Sequence, residues 1–504
     1  MRVVSALLSM CLIVAASLAT PASPVAAQAQ PNGRGPTATR SANQPVHMTS
    51  TATVPQSKNT GPGKTHPKPI LPSAPGGAPA TPRNRATAVS VPSRVVPNTV
   101  SGTNFVGQSD TGFEPSDPQA AAGPQHVVQT VNEQFAIYDR SGNQLYTTTF
   151  QNWFSQQVDL KDPQVIYDPW GSRFIMIVDN NGNGVIISIS ATNSAIGSWC
   201  NWLYTGYNVG ANNYTDRPRI GVDSNGIYWS YNVNQLSTNG FVKSELWAAP
   251  RSGLEGCSGS VSANIWDNLT RTDGTAADSP QPTVAYSNAP YQYVVSSYGG
   301  GGCSITLWKM SGISSLSAAQ TVNSQCYAPA SSASQQGSAE TVTVGDTDLT
   351  QATLSPQGTV DATLTCNNDW GGGNVNAVVC WFKIDPVAGA ISAQGSFGNA
   401  GIWWYYSAMQ EDAAGNTIFV SDVSSPSYYV STWYLSMSRD NVLSSTTLAL
   451  AWGVAADADG DSPERWGDFS SAMLDPTDNT RIWICSSYVD SASHWGTWIG
   501  QAGA

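Results

Sequence analysis

The sequence predicts an all-β chain whose folded part is a seven-bladed β-propeller. Three observations carry that expectation. A short strand–turn–strand phrase recurs seven times, its starts lie roughly 45 to 70 residues apart, the spacing of four-stranded propeller blades, and the composition suits sheets stacked face to face. Only 11% of residues are charged, whereas 18 are Trp and 46 are Gly.

The clearest copy of the phrase is Asp162-Pro-Gln-Val-Ile-Tyr-Asp-Pro-Trp-Gly-Ser-Arg-Phe-Ile-Met-Ile-Val178. Val165 to Tyr167 form an inner strand, Asp168-Pro169-Trp170-Gly171 a tight turn, and Phe174 to Val178 a second, strongly apolar strand. Asp and Pro open such turns, and Gly supplies the positive φ that a β-branched residue resists. A lone hairpin cannot bury its apolar face, so the unit must be stacked on its own copies. Those copies start at Asp117-Pro-Gln, at Asp216 followed by Arg217-Pro-Arg219, and at Asp278 followed by Ser279-Pro-Gln. Later ones start at Leu349-Thr-Gln351, Tyr406-Ser-Ala and Asp468-Phe-Ser. The domain is expected to close by pairing its first strand into the sheet of its last strands.

Residues 1–29 read as a secretory signal peptide: Arg2, an apolar run through Leu18, then the small residues of a cleavage site near Ala27. Residues 30–102, rich in Pro, Ser, Thr and Ala, have little to bury and are expected to be a disordered basic tail. Nine of the 22 basic residues precede position 95, and no Asp or Glu occurs before Asp110. The propeller, 103–504, therefore carries 13 basic against 34 acidic residues, a formal charge of −21. A domain that acidic does not bind nucleic acid through its overall field. No segment of the mature chain is long and apolar enough to span a bilayer. The expected product is a secreted bacterial protein, extracellular or periplasmic, monomeric, with a glycan or a surface protein as partner.

Of the seven cysteines after the signal peptide, sequence proximity pairs Cys303 with Cys326 and Cys366 with Cys380, each stapling a hairpin within a blade. Cys200–Cys257 is the third pair, and Cys485 is left free on a buried strand. Two acidic stretches resemble calcium loops. Asp179 to Gly184 has oxygen donors at alternate positions but no closing Glu, and also suits a plain hairpin turn. Asp457, Asp459 and Asp461, with Glu464 nearby, crowd carboxylates that need a cation or Arg465 to neutralise them. They are the stronger candidates for calcium, the one cofactor the sequence suggests. The 328–348 segment, containing Glu340, Asp346 and Asp348, is long enough for a functional loop.

In a propeller every inner strand enters from one face, so the residues before the strands converge on the central opening. The sequence places Asp117, Asp162, Asp216, Asp278 and Asp468 there, with Gln351 and Tyr406 in the other two blades. Converging carboxylates raise one another's pKa and supply an acid, a base or a nucleophile. Asp162, Asp216, Asp278 and Asp468 are therefore candidate catalytic residues. Asp117, Arg217, Arg219, Trp403, Trp404, Tyr406 and Trp466 are candidate ligand contacts at an acidic, aromatic-rimmed opening. The competing structural role is that an Asp at a blade corner bonds backbone amides and fixes the turn.

The stretch from about 103 to 504 resembles a group of secreted bacterial β-propeller repeat proteins. The resemblance rests on Asp117-Pro-Gln-Ala-Ala-Ala-Gly-Pro-Gln-His-Val-Val-Gln-Thr-Val-Asn, on Asp162-Pro-Gln-Val-Ile-Tyr-Asp and on Arg465-Trp-Gly-Asp-Phe-Ser. It implies the fold and assigns no catalytic residue. Neither a sialidase-type Asp box, a Gly-x-Ser-x-Gly elbow nor a His-Glu-x-x-His motif occurs. Binding of glycans or a surface partner is the expected function. The alternative is a polysaccharide hydrolase or lyase working through the converging carboxylates.

Overall fold

The computed structural model describes residues 86–92, 102–156, 158–257, 259–371, 373–460 and 463–503. The expected signal peptide and most of the expected tail lie outside them.

The chain is an all-β propeller. Each repeat copy read from the sequence opens the first strand of an antiparallel meander. Gln119–Ala122, Leu160–Asp168, Trp403–Glu411 and Ser471–Leu474 each begin a four-stranded sheet. Gln281–Pro282 begins a sheet that runs through Gln292–Ser296 and Gly302–Ser311 to Gln320–Tyr327. Two more meanders, 213–267 and 351–398, are joined by Val284–Ala285, which pairs in parallel with Val222 on one side and Thr353 and Leu354 on the other. Successive first strands are neighbours throughout, and the last, Ser471–Leu474, neighbours the first, Gln119–Ala122. The ring is therefore closed.

Why these strands read as nearly continuous apolar runs is visible in Arg173–Asn180. Its alternate residues Ile175 and Ile177 pack into one core with Trp229 and Trp247 of the following meander. Phe174, Met176 and Val178 pack into another with Phe135 and Ile137 of the preceding one. The same split separates Phe419 from Ile418 and Val420. A sheet with a neighbour on both faces needs apolar side chains on both, so the two-residue period of a half-exposed strand disappears. Each fully buried large side chain contributes about 1.5–3 kcal/mol. Trp fills the widening gaps between sheets: Tyr204 lies 4.7 Å from Trp229, which stacks on Trp247 at 5.7 Å.

Closure takes the expected form. Asn104–Ser109 pairs antiparallel with His494–Ala502, Phe105 facing Ile499 and Asn104 facing Gly500. Phe105 then seats 5.1 Å from Tyr138 and 6.4 Å from Trp483, bridging the last and first meanders.

Residues 86–92 fall within the segment expected to be a disordered tail, yet they are docked. Thr87–Ala88 adds a parallel strand beside Phe397 and Gly398, and Asn399 Nδ2 donates to the Val89 carbonyl at 2.5 Å. Ala86 and Val89 enter two different hydrophobic cores. A second departure is the short helix Phe150–Phe154, in which the Thr149 hydroxyl accepts from Asn152 N at 3.3 Å. The sequence reads there as the lead into a loop.

All three expected disulfides are present: Cys303–Cys326, Cys366–Cys380 and Cys200–Cys257. The first two staple paired strands within one sheet. The third ties the strand Trp199–Tyr204 to the residues following the next meander's helix, Arg251–Glu255. Cys485 is free and buried.

Candidate functional site

The residues opening the inner strands do converge, with a one-residue correction to the sequence alignment. Asp117, Asp162, Arg217, Ser279, Tyr406 and Asp468 all have positive φ, from 41° to 80°. The ladder skips at this point between Lys161 and Gln164, between Asp216 and Arg219, and between Tyr405 and Ala408. In four of the copies the next residue is proline, which excludes the right-handed helical region and leaves a bulge that Asp tolerates well. Asp216 and Asp278 thus stand one residue before the position of Asp162 and share that of Lys161. Arg217 and Ser279 occupy the position itself. Gln351 lies two residues further on, level with Gln119, Gln164, Arg219 and Gln281.

The upper layer is a set of buried ion pairs. Lys161 Nζ lies 2.9 Å from Asp216 and 3.7 Å from Asp162. Arg217 Nη1 lies 3.2 Å from Asp346 and 3.1 Å from Asp348. Arg271 pairs with Asp278 and also donates to Ser296 Oγ at 2.9 Å. Arg465 grips Asp468 with both Nη atoms, one of them at 2.8 Å. Burial, then Asp468 and Asp162, push the Asp117 carboxyl well above the usual range, while Asn132 Nδ2 donates to it at 3.0 Å. Burial and Asp346 do the same to Asp348. Burial raises Asp216 to about 6 against the opposing pull of Lys161.

The 328–348 loop lies over this layer. Its Ala333, Val342 and Val344 pack against Tyr405, Tyr406 and Trp466, and Thr343 N donates to the Glu464 carbonyl at 2.9 Å. Asp346 and Asp348 are its contribution to the charge balance. The expected aromatic rim is absent: Trp404, Tyr406 and Trp466 are buried and Trp403 is half-buried. Trp404 packs between sheets, 5.5 Å from Trp433, and Trp466 Nε1 donates to buried Asp422 at 2.9 Å. These rings fill space that an open rim would have left to solvent. Sequence reasoning missed Lys161 and Arg271 as counterions. Lys161 is adjacent to Asp162, and Arg271 sits in a polar excursion that carries no pattern.

One level down, Gln119, Gln164, Gln281 and Gln351 surround a cavity of about 10 Å³, about the space of one water molecule. Their amides cross-link inner strands: Gln119 Nε2 donates to Ser470 O at 3.0 Å, Gln164 Oε1 accepts from Ile220 N at 3.1 Å, and Gln351 Nε2 donates to Ala472 O at 2.6 Å. Arg219 takes the fifth place in this layer. It is 0% exposed, its Cζ lies 4.3 Å from the Phe469 ring, and none of its three side-chain nitrogens has a hydrogen-bond partner. Burial, then repulsion from Arg217, lowers its pKa to about 10.

Of the calcium candidates, Asp179 is spent on its own turn, accepting from Gly182 N at 2.6 Å and Thr215 Oγ1 at 2.7 Å. Asp457 is buried and Asp459 exposed, while Asp461 lies outside the described residues. Glu114 and Glu464 both come within reach of Asp459, and each keeps one buried oxygen without a hydrogen-bond partner. Among the described residues no group of three His, Cys, Asp or Glu is set to hold a metal ion, and no helix is long and apolar enough to cross a membrane.

No family model and no curated relative matches the chain. Solved structures similar to it include a protein of unknown function from Dyadobacter fermentans, at 9% identity and TM-score 0.38, covering 81% of this chain and 99% of the other. An α-L-arabinofuranosidase from Fusarium graminearum is similar at 9% identity and TM-score 0.38, covering 80% and 97%. An endo-arabinase from Bacteroides thetaiotaomicron is similar at 8% identity and TM-score 0.31, covering 68% and 94%. At such identities the likeness concerns the propeller fold alone.

Proposed function

We propose that the chain is a secreted seven-bladed propeller that binds a glycan or a surface partner without transforming it. The carrying observation is the state of the central carboxylates. Asp216, Asp278, Asp348 and Asp468 are each paired with a buried Lys or Arg, and burial with the nearby Asp468 and Asp162 raises the Asp117 carboxyl well above the usual range. Carboxylates paired in this way hold local turns, as Asp468 does with Arg465, or join neighbouring blades, as Asp216 does with Lys161. A glycosidase needs two that face a substrate across open space, and here the loop 328–348 lies over them. Seven repeat copies, the ring of adjacent inner strands and three disulfides support the blade count and an oxidising compartment. The test is incubation with a polysaccharide panel, reading retention and new reducing ends together. Retention without products is expected. Products that vanish in Asp216→Asn or Asp468→Asn would establish the hydrolase alternative instead.

We also propose a hard cation, calcium, at Asp457, Asp459 and Asp461. Its support is the gathering of Asp110, Glu114 and Glu464 around Asp457 and Asp459, a crowding of carboxyl groups that a bound cation would relieve. Asp461, outside the described residues, is the third ligand that the sequence offers. EDTA is expected to lower the melting temperature and added calcium to restore it; an unchanged melting temperature refutes the site.

A further inference from the structure

We propose that the cleft between the 351–398 and 403–451 meanders is the binding site, and that its ligand is a carboxylate-bearing saccharide. This deepens the binding function proposed above and rests on it. The cleft has a volume of about 560 Å³ and is lined by Gln357, Thr359, Lys383, Glu411, Arg439 and Asn441 among others. That volume falls within the ~300–1,000 Å³ of small-molecule sites. It opens beside the turns that end the inner strands, on the face opposite the buried ion pairs.

Its charge is what selects the ligand. Lys383 Nζ lies 3.1 Å from Glu411 Oε2, and both side chains are buried. Behind Glu411, Asp361 is fully buried and keeps one oxygen without a hydrogen-bond partner, while Thr359 Oγ1 donates to the other at 2.7 Å. Burial and the adjacent Glu411 carboxylate push the Asp361 carboxyl well above the usual range. Among the side chains that line the cleft two are basic, Lys383 and Arg439, and one is acidic, Glu411, an excess of one basic group within a strongly acidic domain. An anion is favoured, and the hydroxyl and amide groups of Thr359, Gln357 and Asn441 suit a ligand rich in hydroxyls.

Gly415 keeps the middle of the cleft open. A Cβ there would stand 3.1 Å from Arg439 Cβ and 3.5 Å from Glu411 Oε1, so arginine and glutamate face one gap that no side chain fills. Gln357 Nε2 braces the walls across it by donating to Ala413 O at 2.9 Å, and within one wall Arg439 N donates to Asn416 Oδ1 at 3.3 Å. No aromatic ring lines the cleft. A neutral sugar, which relies on stacking, has little to hold it there.

The test is calorimetric titration of the full secreted chain with trigalacturonate and triglucuronate, with maltotriose as the neutral match and inorganic phosphate as the simple anion. At least one uronate is expected to bind, with maltotriose and phosphate at least tenfold weaker. Arg439→Gln, at an exposed position, should weaken uronate binding at least tenfold and leave the melting temperature unchanged. Equal binding of maltotriose or phosphate, unaltered affinity in Arg439→Gln, or no binding of either uronate overturns the proposal. Retention on the polysaccharide panel that survives Arg439→Gln would overturn the cleft alone and leave the binding function standing. Absence of any retention would remove both.

Discussion

Replacing Arg219 by Met should make the protein more stable. Arg219 is fully buried, and burial together with Arg217 lowers its pKa only to about 10, so it folds as a cation at neutral pH. Each of its three unpartnered nitrogens costs about 1–3 kcal/mol. Stacking on Phe469 returns about 2 kcal/mol. Met keeps the length and apolar stem, removes the charge and can pack on the same ring. Exchanging buried charged groups for apolar side chains of similar volume yields about 1–4 kcal/mol in other cores. For a domain of about 400 residues the unfolding entropy is about 0.8 kcal/mol/K, so the gain should appear as a rise of about 1–5 °C. Differential scanning calorimetry of wild type, Arg219→Met and Arg219→Lys at pH 7 measures it. The Lys variant keeps the charge, loses the planar stack and should melt lower than wild type. A fall in the melting temperature of Arg219→Met by a degree or more would refute the reasoning, because the guanidinium would then be held by a partner in the folded protein.

Stability should fall as the pH rises from about 4 to 8. Burial raises the folded-state pKa of Asp216 to about 6, of Asp168 and Asp179 to about 7 and of Asp422 to about 8, so in that window the folded state binds more protons than the unfolded chain and loses stability with each unit. A melting temperature that climbs between pH 5 and 8 would contradict this. The Cys485 thiol, pushed up to about 12 by burial with Gln129 Nε2 donating to its sulfur at 3.3 Å, should resist alkylation in the native protein and react once denatured; native labelling within minutes would show the site to be open. Deleting Asn104–Ser109 strips the last sheet of its outer strand and should cause a large loss of melting temperature; a variant as stable as wild type would mean that the ring is not held there.

The repeat and its periodicity sufficed to locate the inner strands, the closing strand and the three disulfides. Each depends on local chemistry: Asp-Pro and Gly turns, apolar runs and short cysteine spacings. Two-sided burial erases the strand alternation, yet it leaves the continuous apolar runs that mark a sheet packed on both faces, as in Phe174 to Val178. The centre was only partly legible. Asp162 aligns with Arg217 and Ser279, because backbone conformation at the bulge, rather than residue identity, fixes which positions are equivalent. The ion-pair partners Lys161 and Arg271 could not be assigned from sequence, since pairing depends on which side chains the ring brings within about 3 Å. Trp404, Tyr406 and Trp466 have the composition of a sugar-binding rim, but packing between blades and under the 328–348 loop buries them. The cleft holding Lys383, Glu411 and Arg439 draws its lining from turns of two different meanders, and only the stacking of those meanders brings the three charges together.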